Sequence, residues 1–211
     1  MDPSKFKAPF LSKEQIEAEA ESLRKKHPSI QKTPVDVLGF AEFDLGLEFD
    51  YAPIQQVGLD AILRPDLKGI VFDAAAFREP SSLNRVRFSA AHELGHLFLH
   101  KQIYGSLGFQ SVEQWVAFIA AIPPDQYQWI EYQAHQFAGY FLIPSKELNL
   151  ALNEAVLDAE REGFFPQGAD EVLEFCCRAI HRDFGVSRQA MQTRIKKSPF
   201  WPHTKVAKLT N

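Results

Sequence analysis

The stretch from Leu83 to Lys101 admits one regular structure. Val86, Ala90, Leu94 and Leu97 or Phe98 recur at helical spacing, no proline interrupts them, and Ser81 or Ser82 stands ahead as N-cap. A helix of that length must bury its apolar stripe, so the rest of the chain has to supply the surfaces that cover it. The same stretch contains His92-Glu93-Leu94-Gly95-His96. On a helix, positions i and i+4 stack on one face, so two imidazoles there can reach one ion at about 2.0–2.1 Å. Glu93, about 100° further round, stands where its carboxylate can hold water beside such an ion and act as general base. The H-E-x-x-H pattern arises by chance in roughly two such chains per hundred, and its weight here comes from the helical, small and apolar residues around it. The rival reading makes both histidines ordinary core or surface side chains.

The surrounding pattern is mostly helical with a little sheet. Ser12 and Gln15 have capping-box spacing ahead of Ile16, Ala20 and Leu23, and His27-Pro28 stops that helix. Thr33-Pro34 predicts the N-cap and first turn of a second, with Val35, Leu38 and Ala41 inward and Gly46 closing it. Leu47, Phe49 and Tyr51 alternate with Glu48 and Asp50, and the β-rich stretches Ala61–Arg64 and Gly69–Asp73 flank the turn-prone Pro65-Asp66. This predicts a small, mostly antiparallel sheet. Val112, Trp115, Val116 and Ile119 have helical spacing, although the run AFIAAI also suits a strand. Further helices are predicted over Asp125–Ile143, from a Ser145 cap to Gly163, over Asp170–Asp183 and over Ser187–Lys197. The expected fold class is α+β, mostly helical, with residues 1–150 as the main domain and 151–211 as a C-terminal helical extension packed on it.

Composition removes several classes. The chain has 211 residues, 45% hydrophobic and 24% charged, which excludes a disordered or fibrous protein. A net charge of -4 argues against a general nucleic-acid or anionic-membrane binder. Cys176 and Cys177 are sequence neighbours, so neither a disulfide framework nor a thiolate metal site is available. The longest apolar run, Trp115 to Ile122, is far short of the roughly 20 residues a bilayer needs, and the N-terminus has no leader-like apolar core. A cytoplasmic protein without a membrane partner is expected.

A catalytic metal wants a third protein ligand. Glu131 lies at the edge of the apolar face formed by Ile130, Ala134, Phe137, Ala138 and Phe141, and it competes with the plainer reading of a solvated carboxylate. His135 follows one turn later. It is placed to orient a metal-bound imidazole, to donate to an oxyanion, or to ligate in place of Glu131.

The strings RVRFSAAHELGHLFLH (Arg85 to His100) and EYQAHQFAGYFLIP (Glu131 to Pro144) resemble, in order, the two motif helices of the ImmA/IrrE family of metallopeptidases. The resemblance implies a zincin-like fold, His92, His96 and Glu131 as metal ligands, and Glu93 as catalytic residue. The metal implied is Zn2+, with Mn2+ also suited to two histidines and a glutamate. Here His135 stands where the family often has Asn or Asp, and Phe141 and Ile143 replace Leu and Met. The segment Tyr104 to Pro124 is longer than a simple connection, as a lid or partner surface would be. Family members cut a specific intracellular transcriptional repressor, so the expected partner is a helix-turn-helix repressor as protein substrate. Many carry an N-terminal helix-turn-helix domain, for which the stretch before Ser12 is too short.

One feature resists that picture. From Val186 onward there are six Lys or Arg and no Asp or Glu. Residues 180–197 have a helix, turn and helix, with Arg188, Gln189, Gln192 and Thr193 on a face that suits DNA. The plainer expectation is a helix pair packed on the core with a solvated basic face. The alternative function is a non-catalytic regulatory module that binds a repressor, or DNA, through this segment. An intact set of two His and two Glu argues for the enzyme.

Overall fold

The computed structural model describes residues 2–107, 112–162 and 168–201. The first helix, α1 (Lys13–Lys26), starts on the expected capping box: Ser12 Oγ accepts the Gln15 N–H while the Gln15 side chain returns to Ser12. Ile16, Ala20 and Leu23 form its buried face. The second helix begins later than Thr33. Val35 is fully buried between the exposed Pro34 and Asp36, and the cap falls to Asp36, whose Oδ1 accepts the Gly39 N–H at 3.0 Å. This helix, α2 (Val37–Gly39), runs into a single π-type turn, Phe40–Asp44.

Three strands follow, β1 (Glu48–Ala52), β2 (Ala61–Leu63) and β3 (Gly69–Asp73), in the order β1-β3-β2. β2 and β3 form the predicted antiparallel hairpin, with Ile62 opposite Val71. β1 joins the other edge of β3 in parallel, with Asp50 opposite Val71, so the sheet is mixed rather than mostly antiparallel. The connection through the 3-10 turn Ile54–Val57 carries the chain across to the far edge before β2 begins. Asp73 ends the sheet and caps α3 (Ala74–Arg78), accepting the N–H groups of Ala75 and Ala76, and its second oxygen accepts that of Gln55.

The remaining helices are α4 (Leu83–Leu99), α5 (Lys101–Leu107), α6 (Val112–Ala121), α7 (Pro124–Leu142), α8 (Ser145–Arg161), α9 (Ala169–Ile180) and α10 (Arg188–Lys196). The AFIAAI run is helical: Trp115, Phe118 and Ile122 are buried at i, i+3 and i+7 while Val116 is exposed. Ser145 is the first residue of α8 rather than its cap, and no side chain closes that terminus. Its hydroxyl is taken instead by Arg194 Nη2 at 2.6 Å and by Glu17. The predicted stop at Gly163 lies outside the described residues.

α4 and α7 form the centre of the molecule, and they touch backbone to backbone. A Cβ placed on Gly95 would lie 2.9 Å from Ala134 Cα and 3.0 Å from its carbonyl oxygen. Leu94, Ile130, Phe137, Phe141 and Leu142 fill the space around that contact, joined by Phe40, Ile70 and Phe72. Buried side chains of α9 and α10, among them Leu173, Met191 and Ile195, belong to the same apolar cluster. Cys176 and Cys177 are free and buried there, and burial pushes their thiols up to about 11 and about 12. No helix of the described residues is long and apolar enough to cross a membrane.

Candidate metal centre

α4 presents His92 and His96 to the same side, and α7 brings Glu131 opposite them, one turn of α7 before the Gly95–Ala134 contact. The Nε2 atoms of the two histidines are 3.0 Å apart. Glu131 Oε2 lies 3.1 Å from His92 Nε2, and its Oε1 lies 3.4 Å from His96 Nε2. Bonds of about 2.0–2.1 Å around a tetrahedral ion put donor atoms roughly 3.3 Å apart. These three side chains therefore have the spacing and the donor types to hold one divalent cation.

The electrostatics suit a cation. Burial works to raise the Glu131 pKa, yet the hydrogen bond to His92 and the closeness of both imidazoles outweigh it and hold the carboxyl well below the usual carboxylate range. Burial likewise opposes a charge on His92, but its hydrogen bond to Glu131 and the nearby Glu93 move its pKa upward. Glu93 is buried beside the pair, and its Oε2 accepts the backbone N–H of Leu63, on the edge strand β2, at 2.7 Å. Burial raises its pKa against the opposing pull of His96, His92 and that N–H.

These groups open on one cleft of about 370 Å³. The Gly58–Ile62 stretch forms one wall, and Phe88, Tyr104, Trp115, Tyr127 and His135 contribute to the rest. The Tyr104 to Pro124 segment thus supplies part of the cleft wall, through Tyr104 stacked on Trp115 with ring centroids 4.4 Å apart. Of the expected site residues, His92, Glu93, His96 and Glu131 come together. His135 is exposed on the cleft rim with its ring 5.0 Å from Phe88, and no hydrogen bond joins it to His92 or His96. Four residues after Glu131, it shares that face of α7 and lines the same cleft.

Three residues carry no expectation from sequence. Tyr127, four residues before Glu131, hydrogen-bonds that carboxylate, and burial with the Glu131 charge pushes its phenol up to about 12. His100 lies behind His96, and Gln133 lies behind His100. The signal for the first two was helical spacing, i+4 to Glu131 and i+4 from His96. The suspected DNA-reading face of α10 is divided: Gln189 and Thr193 line a second cleft beside Phe88, Ser89 and His135, while Arg188 pairs with Glu174 at 3.6 Å.

A helix-borne histidine pair, a glutamate beside it and a third ligand from a neighbouring helix form the arrangement of a metal-dependent peptidase. Residues 78–196 match the peptidase M78 family, described as the IrrE N-terminal-like domain, and the chain belongs to that family. No curated protein matches the chain.

Proposed function

We propose that this chain is a zinc-dependent endopeptidase of the ImmA/IrrE type that hydrolyses one peptide bond in a specific intracellular protein, a helix-turn-helix transcriptional repressor. The observation that carries this reading is the convergence of His92, His96 and Glu131, with Glu93 beside them, on one open cleft. A bound cation there supplies Lewis-acid polarisation of the scissile carbonyl and makes water a nucleophile near neutral pH. Mn2+ fits the same donors, and availability decides between the two.

Glu93 takes the proton from the attacking water and passes it to the leaving amine. The Leu63 N–H keeps its carboxylate in place, and burial brings its pKa toward the range in which one group can accept and return a proton. His135, facing the cleft, donates to the oxyanion that develops on the carbonyl. A cytoplasmic location follows from such a substrate. Direct DNA binding by residues 180–197 is disfavoured because Arg194 is buried and Arg188 pairs with Glu174, which leaves the segment fewer free cations for phosphates.

The test is incubation of the purified protein with the helix-turn-helix repressor encoded beside its gene, with and without chelator. A discrete fragment that disappears with chelator is expected. Cleavage that survives complete metal removal overturns the reading.

A further inference from the structure

His100 is almost wholly buried, 1% exposed, at the C-terminal end of α4. Its Nδ1 lies 3.2 Å from His96 Nδ1 and its Nε2 lies 2.9 Å from Gln133 Oε1. Gln133 is itself fully buried, and its Nε2 donates to the carbonyl of Pro9 at 2.8 Å. Four groups thus form one line leading away from the metal centre.

The line has a direction. The Pro9 carbonyl can only accept, so the Gln133 amide must point its N–H there and its oxygen toward His100. That oxygen requires a proton on His100 Nε2, which leaves His100 Nδ1 as an acceptor. An acceptor at that point draws the proton of His96 onto Nδ1 and leaves His96 Nε2 bare, on the side where it meets His92 and Glu131. Turning the amide over sets its oxygen against the Pro9 oxygen, so the reverse polarity is disfavoured.

We propose that His100 and Gln133 are positioning residues: anchored on the Pro9 carbonyl, they hold His96 in the tautomer and ring orientation that offer Nε2 to a divalent cation. The inference rests on the metal-dependent reading of the site. It makes the N-terminal segment part of the support of the metal centre, because Pro9 sets the polarity of the relay.

The test compares Zn2+ affinity, measured by competition with a chromophoric chelator, in the wild-type chain and in His100→Leu, His100→Asn and Gln133→Leu. His100→Leu and Gln133→Leu should each lose about 10- to 100-fold in affinity while circular dichroism stays native. His100→Asn should recover most of that loss, because its amide oxygen can still accept from His96 Nδ1. Imidazole nitrogen NMR of the wild-type chain should find the His100 proton on Nε2, a readout that a merely structural role would not determine. Unchanged affinity in a folded His100→Leu chain, or a His100 proton on Nδ1, overturns the relay alone. If the leucine variants do not fold, the NMR assignment decides. A wild-type chain that takes up no Zn2+ overturns the metal centre and the relay together.

Discussion

The Glu93 carboxylate accepts the backbone N–H of Leu63 at 2.7 Å, so the edge of the sheet holds the side chain proposed as general base. A glutamine at the same position can still accept that N–H but cannot take a proton from water. Glu93→Gln is therefore expected to fold and to bind Zn2+ like the wild type while cleavage of the proposed repressor substrate falls by about 10²- to 10⁴-fold. Glu93→Ala should lose cleavage as well, and should also be destabilised by about 1–3 kcal/mol because the buried Leu63 N–H is left without a partner. Metal content, denaturation midpoints and cleavage rates measured together separate the two variants.

Gly95 sets the distance between the histidine helix and the glutamate helix. Its missing side chain would meet Ala134 Cα at 2.9 Å and the Ala134 oxygen at 3.0 Å, and backbone cannot rotate away as a side-chain end can. Gly95→Ala should push α4 and α7 apart, cost about 1–3 kcal/mol of stability as overpacked cores do, and weaken Zn2+ binding, since His92 and His96 separate from Glu131. Urea unfolding of the metal-free chain and a Zn2+ titration check both effects. Wild-type affinity in this variant would show that the helix spacing does not control the ligand set.

Protons and cations compete for the same donors. His92 has its pKa moved above the ordinary 6.5, the burial penalty being outweighed by its hydrogen bond to Glu131, by Glu93 and by the Glu131 charge. It therefore contributes stability to the metal-free chain that is full below 6.5 and fades as pH rises through the shifted value. Glu131 is held well below its ordinary 4.5, so its contribution is full above 4.5 and is lost as pH falls through the lower folded value. The pair should stabilise the metal-free fold most between about pH 4.5 and 6.5. Zn2+ must displace the His92 proton, so affinity should climb as pH rises past 6.5 and then level off. Titrations across about pH 5 to 8.5 decide this, and an affinity flat over that range would count against His92 as a ligand.

The four central residues were legible because their signal is local. His92, Glu93 and His96 lie within five residues of a strongly periodic helix, and Glu131 sits at the margin of a second apolar face. What escaped depends on residues far along the chain. The role of Gln133 requires Pro9, 124 positions away, and the hydroxyl of Ser145 is diverted from capping by Arg194, 49 positions away. Thr33 has good capping chemistry, but burial of Val35 moves the helix start to Asp36, a tertiary effect that propensity does not carry. The parallel pairing of β1 with β3 likewise depends on where the connection lands, whereas strand alternation reports only which residues face inward. His100 ends an apolar helix in a way that reads equally well as an ordinary core residue, until the line to Gln133 is seen.

Arg87, in the first motif helix, ties three parts of the chain together: Nη2 donates to the Val35 carbonyl at 2.7 Å and Nε to the Gly185 carbonyl at 3.1 Å. Gly185 adopts a left-handed conformation, φ +60°, and a Cβ there would lie 2.9 Å from Arg87 Nη2. Arg87→Leu should cost about 1–3 kcal/mol, because the Gly185 carbonyl loses its donor and the Val35 carbonyl keeps only the Val37 N–H, and Gly185→Ala about 1–2 kcal/mol from backbone strain plus its clash with the guanidinium. Removing the guanidinium removes that clash. Alanine at 185 should therefore cost less in the Arg87→Leu background than in the wild type, with a coupling of about 0.5 kcal/mol or more. Denaturation midpoints of the two single variants and the double variant measure it, and strict additivity would mean that Arg87 swings clear of the turn without loss.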